Sequence, residues 1–497
     1  MKQKKKYLSC LIFGLGLGIS IPFLFSSPVY CQPRPLVVLS DSELNDQALY
    51  DTWVEFADKG LRNRRQRELA IKKLEKSFSR RALERRKKRR TFLGLFDERD
   101  FPIAAKYLKR VAKTGAQIRV QSRWLNGVTV LVSKEQILKI KKLKCVKEVG
   151  DYHEHRPRMK KEPDTESRPQ RQEQESVSGF YGRSEIQIRQ LGLDRLHEAG
   201  FTGDGVIIAV VDAGFNLAHK ALRHPDKSIN VIAQWDFVEN DGNVVPDPDL
   251  DPTHYSHGTS VFGAIASYAP EELVGTAYDA DFILCNAEDG ETEYYLEERW
   301  YVAALEFAES HGADVLSSSL VLYGGHTQEQ TDGQTAVMTR GLNIAVGNGV
   351  ICLAGCGNNG HDGDPGVSHL MVPADAPDVI SVGAINSDRS IARFSSDGPG
   401  GGGRLKPEVL AMGSRAASIS ATDSETFSRA SGTSIATPIM AGAVACLLQV
   451  HPDWTVQEIR GALFESGDYF RQHGKPDPLF IQGFGIPDVF LAADLKQ

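Results

Sequence analysis

The sequence predicts an α/β protein, an open and mostly parallel sheet with helices on both faces, preceded by a small α+β domain. Three observations carry that prediction. From about Tyr181 onward, apolar strand-like runs alternate with helical stretches, the pattern of a parallel sheet covered on both sides. The front of the chain instead follows the order strand, helix, two strands, helix, strand, a split βαβ unit. The charge divides with the texture. Residues 1–180 hold 40 Lys/Arg against 21 Asp/Glu and residues 181–497 hold 18 against 43, so the front carries about +19 and the back about −25. A length of 497 residues with 41% hydrophobic content fits two or three folded units with a sizeable core.

Residues 1–31 have the layout of an export signal. Lys2, Lys4, Lys5 and Lys6 precede an apolar run from Tyr7 to Phe25, followed by Ser26 and Ser27. A retained membrane anchor is the alternative, because the run approaches the ~20 residues needed to span a bilayer. Pro22, Gly14, Gly16 and Gly18 favour cleavage. The implied location is secreted or cell envelope, and no later stretch is expected to span. Seven cysteines, with Cys10 inside the signal, form neither a zinc spacing nor a disulfide framework. Cys285, Cys352, Cys356 and Cys446 lie in apolar contexts and are expected to be free buried thiols.

Residues 32–152 form the basic domain. Trp53 to Phe56 alternates like a strand. A helix is expected from Ile103 through Val111, ending at Gly115. Ile118–Gln121 and Val128–Val132 predict two strands joined across Asn126-Gly127. Ser133 caps a helix through Ile137 and Ile140, and Val146–Val149 is a last short strand. Residues 60–93, which include the run Arg85-Arg86-Lys87-Lys88-Arg89-Arg90, are inserted before the first helix. Such a run is compatible with nucleic-acid binding, but an export signal opposes a nuclear address, and a solvated basic helix or loop is the expectation. No nucleic-acid partner is expected. Residues 153–180 are polar, lack apolar periodicity and predict a protease-sensitive linker.

Beyond the linker, strands are expected at Val206–Val211, Phe282–Asn286, Val315–Leu316, Val350–Leu353 and Val379–Val382, with helices at Trp300–His311 and Pro438–Val450. In such folds ligands bind at the carboxyl ends of the strands, and four polar groups fall there. Asp212 ends a buried strand ahead of Gly214. His257 opens an apolar helix. Asn358 lies in the glycine-rich turn Gly355-Cys356-Gly357-Asn358-Asn359-Gly360. Ser434 lies between a glycine-containing loop and a helix beginning near Pro438, where a helix N-terminus favours developing negative charge. Each alone has an ordinary explanation: a strand-end carboxylate, an incidental helix residue, a plain turn, a helix cap.

Together, in the chain order Asp, His, Asn, Ser, they resemble the subtilase family of serine proteases. Gly432-Thr433-Ser434-Ile435-Ala436-Thr437-Pro438 is similar to the family's nucleophile motif, with Ile435 for Met. His257-Gly258-Thr259 matches its histidine motif and Lys406-Pro407-Glu408-Val409 its Lys-Pro-Asp-Val segment; Gly275-Thr276-Ala277 and Gly312-Ala313-Asp314-Val315 fall where its strand-flanking segments would. The resemblance implies a subtilisin-like parallel sheet over residues 181–497. It also implies a ferredoxin-like pro-domain that inhibits the enzyme within the same chain, and protein or peptide substrates. It assigns His257 as base, Asp212 as its partner, Ser434 as nucleophile and Asn358 as oxyanion donor. Ser317-Ser318-Ser319-Leu320 resembles the strand that pairs with extended substrate. No cofactor is required and no metal is assigned, although the family often carries structural calcium and Asp247, Asp249 and Asp251 alternate ahead of His257. A monomer is expected. Ala213, Gly355-Cys356 and Val321 depart from the family pattern, and Cys356 and Val321 would narrow the primary pocket. The alternative reading is a catalytically silent binding protein on the same scaffold, which the intact set of four residues opposes.

Overall fold

The computed structural model describes residues 39–155, 179–245, 253–289, 295–321 and 326–494. The export signal, most of the linker, and Asp247, Asp249 and Asp251 lie outside the described residues.

The front domain is a four-stranded antiparallel sheet. It contains β1 (Leu49–Phe56), β2 (Gln117–Ser122), β3 (Gly127–Ser133) and β4 (Val146–Glu154), in the order β2-β3-β1-β4. Its helices are α1 (Arg64–Ser77), α2 (Arg80–Arg89), α3 (Ala105–Ala112) and α4 (Lys134–Lys141). The period-2 pattern of β1 sends Tyr50, Val54 and Phe56 into the domain's own core with Val130, Ile137 and Ile140. Trp53, on the opposite face, joins the large core of the back domain together with Val120 and Trp124. One sheet face thus closes the small domain and the other docks it.

Local signals explain most boundaries. Ser133 starts α4 with a capping box closed by Gln136. The β2–β3 connection is a turn over Arg123–Asn126 in which Asn126 has φ +54°, while Gly127 already pairs with Ser122. The turn therefore sits slightly earlier than Asn126-Gly127 implies. β4 runs to Glu154, past the expected Val149.

The back domain is a seven-stranded, wholly parallel sheet. Its strands are β5 (Ile207–Asp212), β6 (Asn230–Asp236), β7 (Asp281–Asn286), β8 (Val315–Ser318), β9 (Ile351–Gly355), β10 (Ile380–Ile385) and β11 (Val409–Met412), in the order β11-β10-β9-β8-β5-β7-β6. The chain lays down β7 on one side of β5 and β8 on the other, so the strand order reverses at β5. The carboxyl ends around that switch point form the natural crevice. The covering helices include α5 (Thr253–Ala266), α6 (Tyr295–His311), α7 (Val337–Gly347) and α8 (Thr433–Val450). Helix α6 packs on β5 and β7 and, on its other side, against β1, β2 and β4, so it lies between the two sheets.

Two expectations need correction. α8 is long and apolar enough to cross a membrane, contrary to the expectation that no later stretch is, but 83% of it is buried and it is the central core helix. The basic segment is solvated only in part: most of its first helix is exposed, as expected, but one face of its second is buried. It forms α1 and α2, with Arg85, Arg86 and Arg89 between 2% and 5% exposed. The thiols of Cys285, Cys352, Cys356 and Cys446 are free and buried, as is that of Cys145.

Candidate active site

Asp212 is the last residue of β5 and is fully buried. Its Oδ1 accepts from the Ala213 N–H at 2.9 Å and lies 2.7 Å from His257 Nδ1. Its Oδ2 has no hydrogen-bond partner among the described residues. His257 belongs to the first half of α5, and Gly258 lets that helix approach: a Cβ there would meet the Gly214 carbonyl and come 3.0 Å from Asp212 Oδ1.

The electrostatics of the pair follow from this contact. Burial works to lower the His257 pKa, but the facing Asp212 carboxylate outweighs it, with a smaller contribution from Glu288, and the pKa rises to about 9. With 39% of the His257 side chain exposed, solvent screening tempers that effect.

Helix α8 begins at Thr433, so Ser434 lies in its first turn rather than ahead of it. Pro438 lies inside the helix, not at its start as expected. Having no N–H, it cannot bond the carbonyl four residues back, which is that of Ser434. Ser319 supplies the missing donor, its hydroxyl donating to the Ser434 carbonyl at 2.7 Å. Sequence reasoning had a signal for this coupling, a proline four residues after the serine, but not for the partner.

Asn358 follows β9. Its Oδ1 accepts from the Thr433 N–H at 2.9 Å, which turns the amide so that Nδ2 faces the other way. Thr433 Oγ1 also accepts from the Gly357 N–H at 3.2 Å. Gly432 has φ +151° and no side chain where these groups converge. A Cβ there would lie 2.7 Å from Ser434 Oγ, 3.5 Å from Asn358 Nδ2 and 3.6 Å from the Ser434 nitrogen. The hydroxyl, the amide and the N–H therefore border one small volume.

Ser317 and Ser318 are interior residues of β8. They pair with Leu353 and Ala354 on one side and with Val210 and Val211 on the other. Both backbone edges are taken, so an extended substrate has no ladder to join at these two positions. Ser318 Oγ instead accepts from the Tyr301 hydroxyl at 2.8 Å. Only Ser319 and Leu320 run past the ladder. Cys356 is fully buried, with Sγ 3.1 Å from the Ser396 carbonyl, and burial pushes its thiol pKa up to about 12.

Two groups of acidic and histidine side chains come close enough to share an ion among the described residues: Asp212, His257 and Glu288, and Asp362, His369 and Asp397. In each, the histidine Nδ1 already lies 2.7 Å from an aspartate oxygen. The loop of Asp247, Asp249 and Asp251, where calcium was the expectation, is outside the described residues.

Residues 203–485 match the model of the subtilase family, and residues 51–170 match a peptidase S8 propeptide domain of Bacteroidota. The chain is 30% identical over 395 residues to subtilisin E of Bacillus subtilis (strain 168), covering 78% of this chain and 86% of that protein. It is 33% identical over 310 residues to a subtilisin of Bacillus pumilus, covering 62% and 97%. It is 30% identical over 251 residues to an intracellular serine protease of Paenibacillus polymyxa, covering 50% and 68%. The chain belongs to the subtilase family: it is a serine endopeptidase made with an N-terminal propeptide.

Proposed function

We propose that this subtilase cuts peptide bonds with Ser434 as nucleophile, His257 as base and Asp212 as the group that orients and charges the imidazole. Ser434 Oγ attacks the scissile carbonyl and its proton passes to His257, because a neutral hydroxyl is a weak nucleophile without an adjacent base. Asp212 holds the ring by Nδ1, leaving Nε2 as the basic nitrogen, and stabilises the imidazolium that forms. His257 then protonates the leaving amine, and water repeats the attack on the acyl-enzyme. The oxyanion is received by Asn358 Nδ2 and the Ser434 N–H at the N-terminus of α8. The observations that support this reading are the convergence over Gly432 of the hydroxyl, the amide and the N–H, and the 2.7 Å Asp212–His257 contact made from helix α5, which packs against α8. Ser319 and Leu320, at the open end of β8, are proposed to meet the extended substrate.

The same reading divides the precursor into an export signal (1–31), an inhibitory pro-segment (32–152), a linker cut on maturation (153–180) and the catalytic domain (181–497), the last acting outside the cytoplasm. Labelling with a fluorophosphonate tests it. The mature enzyme should take up one equivalent on Ser434, and variants at His257 or Asp212 should label far more slowly. No labelling of the active preparation, or labelling at another serine, would refute the assignment. N-terminal sequencing of the mature enzyme locates the linker cut, and a start near residue 32 would overturn the division.

A further inference from the structure

The insertion, which with the turn after its basic run spans residues 60–101, has no part in the sheet that docks the pro-segment, yet it makes a second contact with the catalytic domain. Ala82, Arg85, Arg86 and Arg89 share the inner face of α2 at spacings of three and four residues. Three members of that buried face are arginines. Arg85 Nη1 donates to the Ala313 carbonyl at 2.6 Å, and its Nη2 donates to the Glu309 carbonyl at 3.0 Å and to the Glu309 carboxylate. Arg86 forks onto both Glu309 oxygens at 2.8 Å, while Asp100 of the insertion holds its far side at 2.7 Å. Arg89 reaches Asp314 Oδ1 at 3.2 Å and the carbonyls of Pro452 and Trp454 at 2.6 and 2.8 Å. At the rim Arg81 adds a 2.6 Å bond to Asp314 Oδ2.

The receiving surface is shaped as well as charged. Gly347, at the end of α7, has no side chain where the Phe92 ring sits, and a Cβ on Gly349 would lie 3.0 Å from the Arg89 backbone. The Thr91 N–H donates to the Gly347 carbonyl at 2.9 Å. Asp314 and Asn348 precede β8 and β9, so this socket lies at the amino ends of the strands, away from the reactive serine at their carboxyl ends.

We propose that α2 is an anchor, an arginine plug in an acidic socket formed by Glu309, Asp314 and the surrounding carbonyls, which keeps the pro-segment on the enzyme after the linker is cut. Guanidinium groups suit the task because five donors in a fixed planar fork can grip both oxygens of a carboxylate and still reach carbonyls, a geometry the point charge of lysine does not offer. With the sheet face on α6 as the first attachment, the plug makes docking bivalent. Loss of either contact is then followed by rebinding at high local concentration. The socket also gives the catalytic domain a guanidinium-binding surface once the plug leaves.

The proposal rests on residues 32–152 being the pro-segment, and its test needs no catalysis. A full-length chain carrying Ser434→Ala and a recognition sequence for a site-specific protease between residues 160 and 176 is cut and then chromatographed at 0.15 M salt. The two fragments should co-elute. Arg85→Gln with Arg89→Gln should speed their separation on the order of 10²-fold, the scale expected when one side of a buried ion pair is removed. In case those changes unfold the insertion, Gly347→Val alters only the catalytic side, filling the space of the Phe92 ring from a helical position, and should also release the fragment. Retention unchanged in both variants would overturn the proposal, because the sheet contact would then suffice. Peptidase activity of the wild-type chain is measured separately, so failure of the catalytic reading leaves this result interpretable.

Discussion

Asp212 and Glu309 are both fully shielded carboxylates of the catalytic domain, one at the carboxyl ends of its strands and the other toward their amino ends. Asp212 makes two bonds, both through Oδ1, and leaves Oδ2 without a partner among the described residues. Glu309 has both oxygens engaged by Arg86, one of them also by Arg85, and Arg123 lies 3.6 Å away. A carboxylate surrounded by guanidinium groups has its field cancelled where it arises. One facing a single imidazole projects its field onto that ring, and the raised His257 pKa is the result. Incomplete coordination leaves charge available for chemistry, and saturated coordination turns it into attachment.

Variants at the two places should therefore fail in different ways. The largest effect is expected from Ser434→Ala, a turnover loss on the order of 10⁶, a magnitude measured in a subtilisin. The precursor should also accumulate uncut when expressed without other proteases. Asp212→Asn should lower turnover ~10⁴-fold by removing the group that holds the imidazole tautomer.

That variant also tests the field argument through pH. The base must be neutral, so activity rises as the imidazolium loses its proton, and the carboxylate places that rise at a higher pH than ordinary imidazole would. Asp212→Asn should move the acidic limb of kcat/KM downward. An unmoved limb would mean the contact is steric rather than electrostatic. The linkage sign for stability is the usual one for a raised histidine. The stabilisation is fully present below the unfolded value near 6.5 and is lost as pH rises through about 9.

Asn358→Ala should cost roughly 10²–10³ in kcat with little change in KM if, as proposed, the amide meets charge that exists only in the transition state. Equal losses in binding and turnover would make Asn358 a turn residue that merely orders Thr433. On the socket side, Glu309→Gln should cost the precursor about 3–5 kcal/mol of stability by leaving Arg85 buried without its carboxylate partner and Arg86 with Asp100 alone, read as a fall in Tm. The mature enzyme should keep its kcat. A fall in kcat as large as that in Asn358→Ala would erase the distinction between the two carboxylates. The smallest effect is expected from Ser319→Ala. It leaves the Ser434 carbonyl without a donor beside Pro438, at about 1–3 kcal/mol, together with a modest loss of turnover.

Sequence periodicity made the architecture legible because it is a local property. β5, β7, β9 and β10 are continuous apolar runs buried on both faces, and each is visible in its own six or so residues. β6, with its alternating half-exposed residues, and β11, only four residues long, lie at the two edges of the sheet and carry a weaker signal. The chain order of Asp212, His257, Asn358 and Ser434 was likewise readable, since each sits beside glycines that its local geometry demands.

Local pattern was enough for the alternation of elements, the split in charge and the chain order of Asp212, His257, Asn358 and Ser434. The folded chain decided that Ser317 and Ser318 are closed off inside the sheet, that Ser319 completes the bonding of Ser434, and that Arg85, Arg86 and Arg89 of α2 are buried. The reason is distance along the chain. Arg85 and Glu309 are separated by 224 residues, and a helix face of arginines has the same sequence whether it meets water or carboxylates. Periodicity reports which residues share a face, but only the folded chain decides what that face meets.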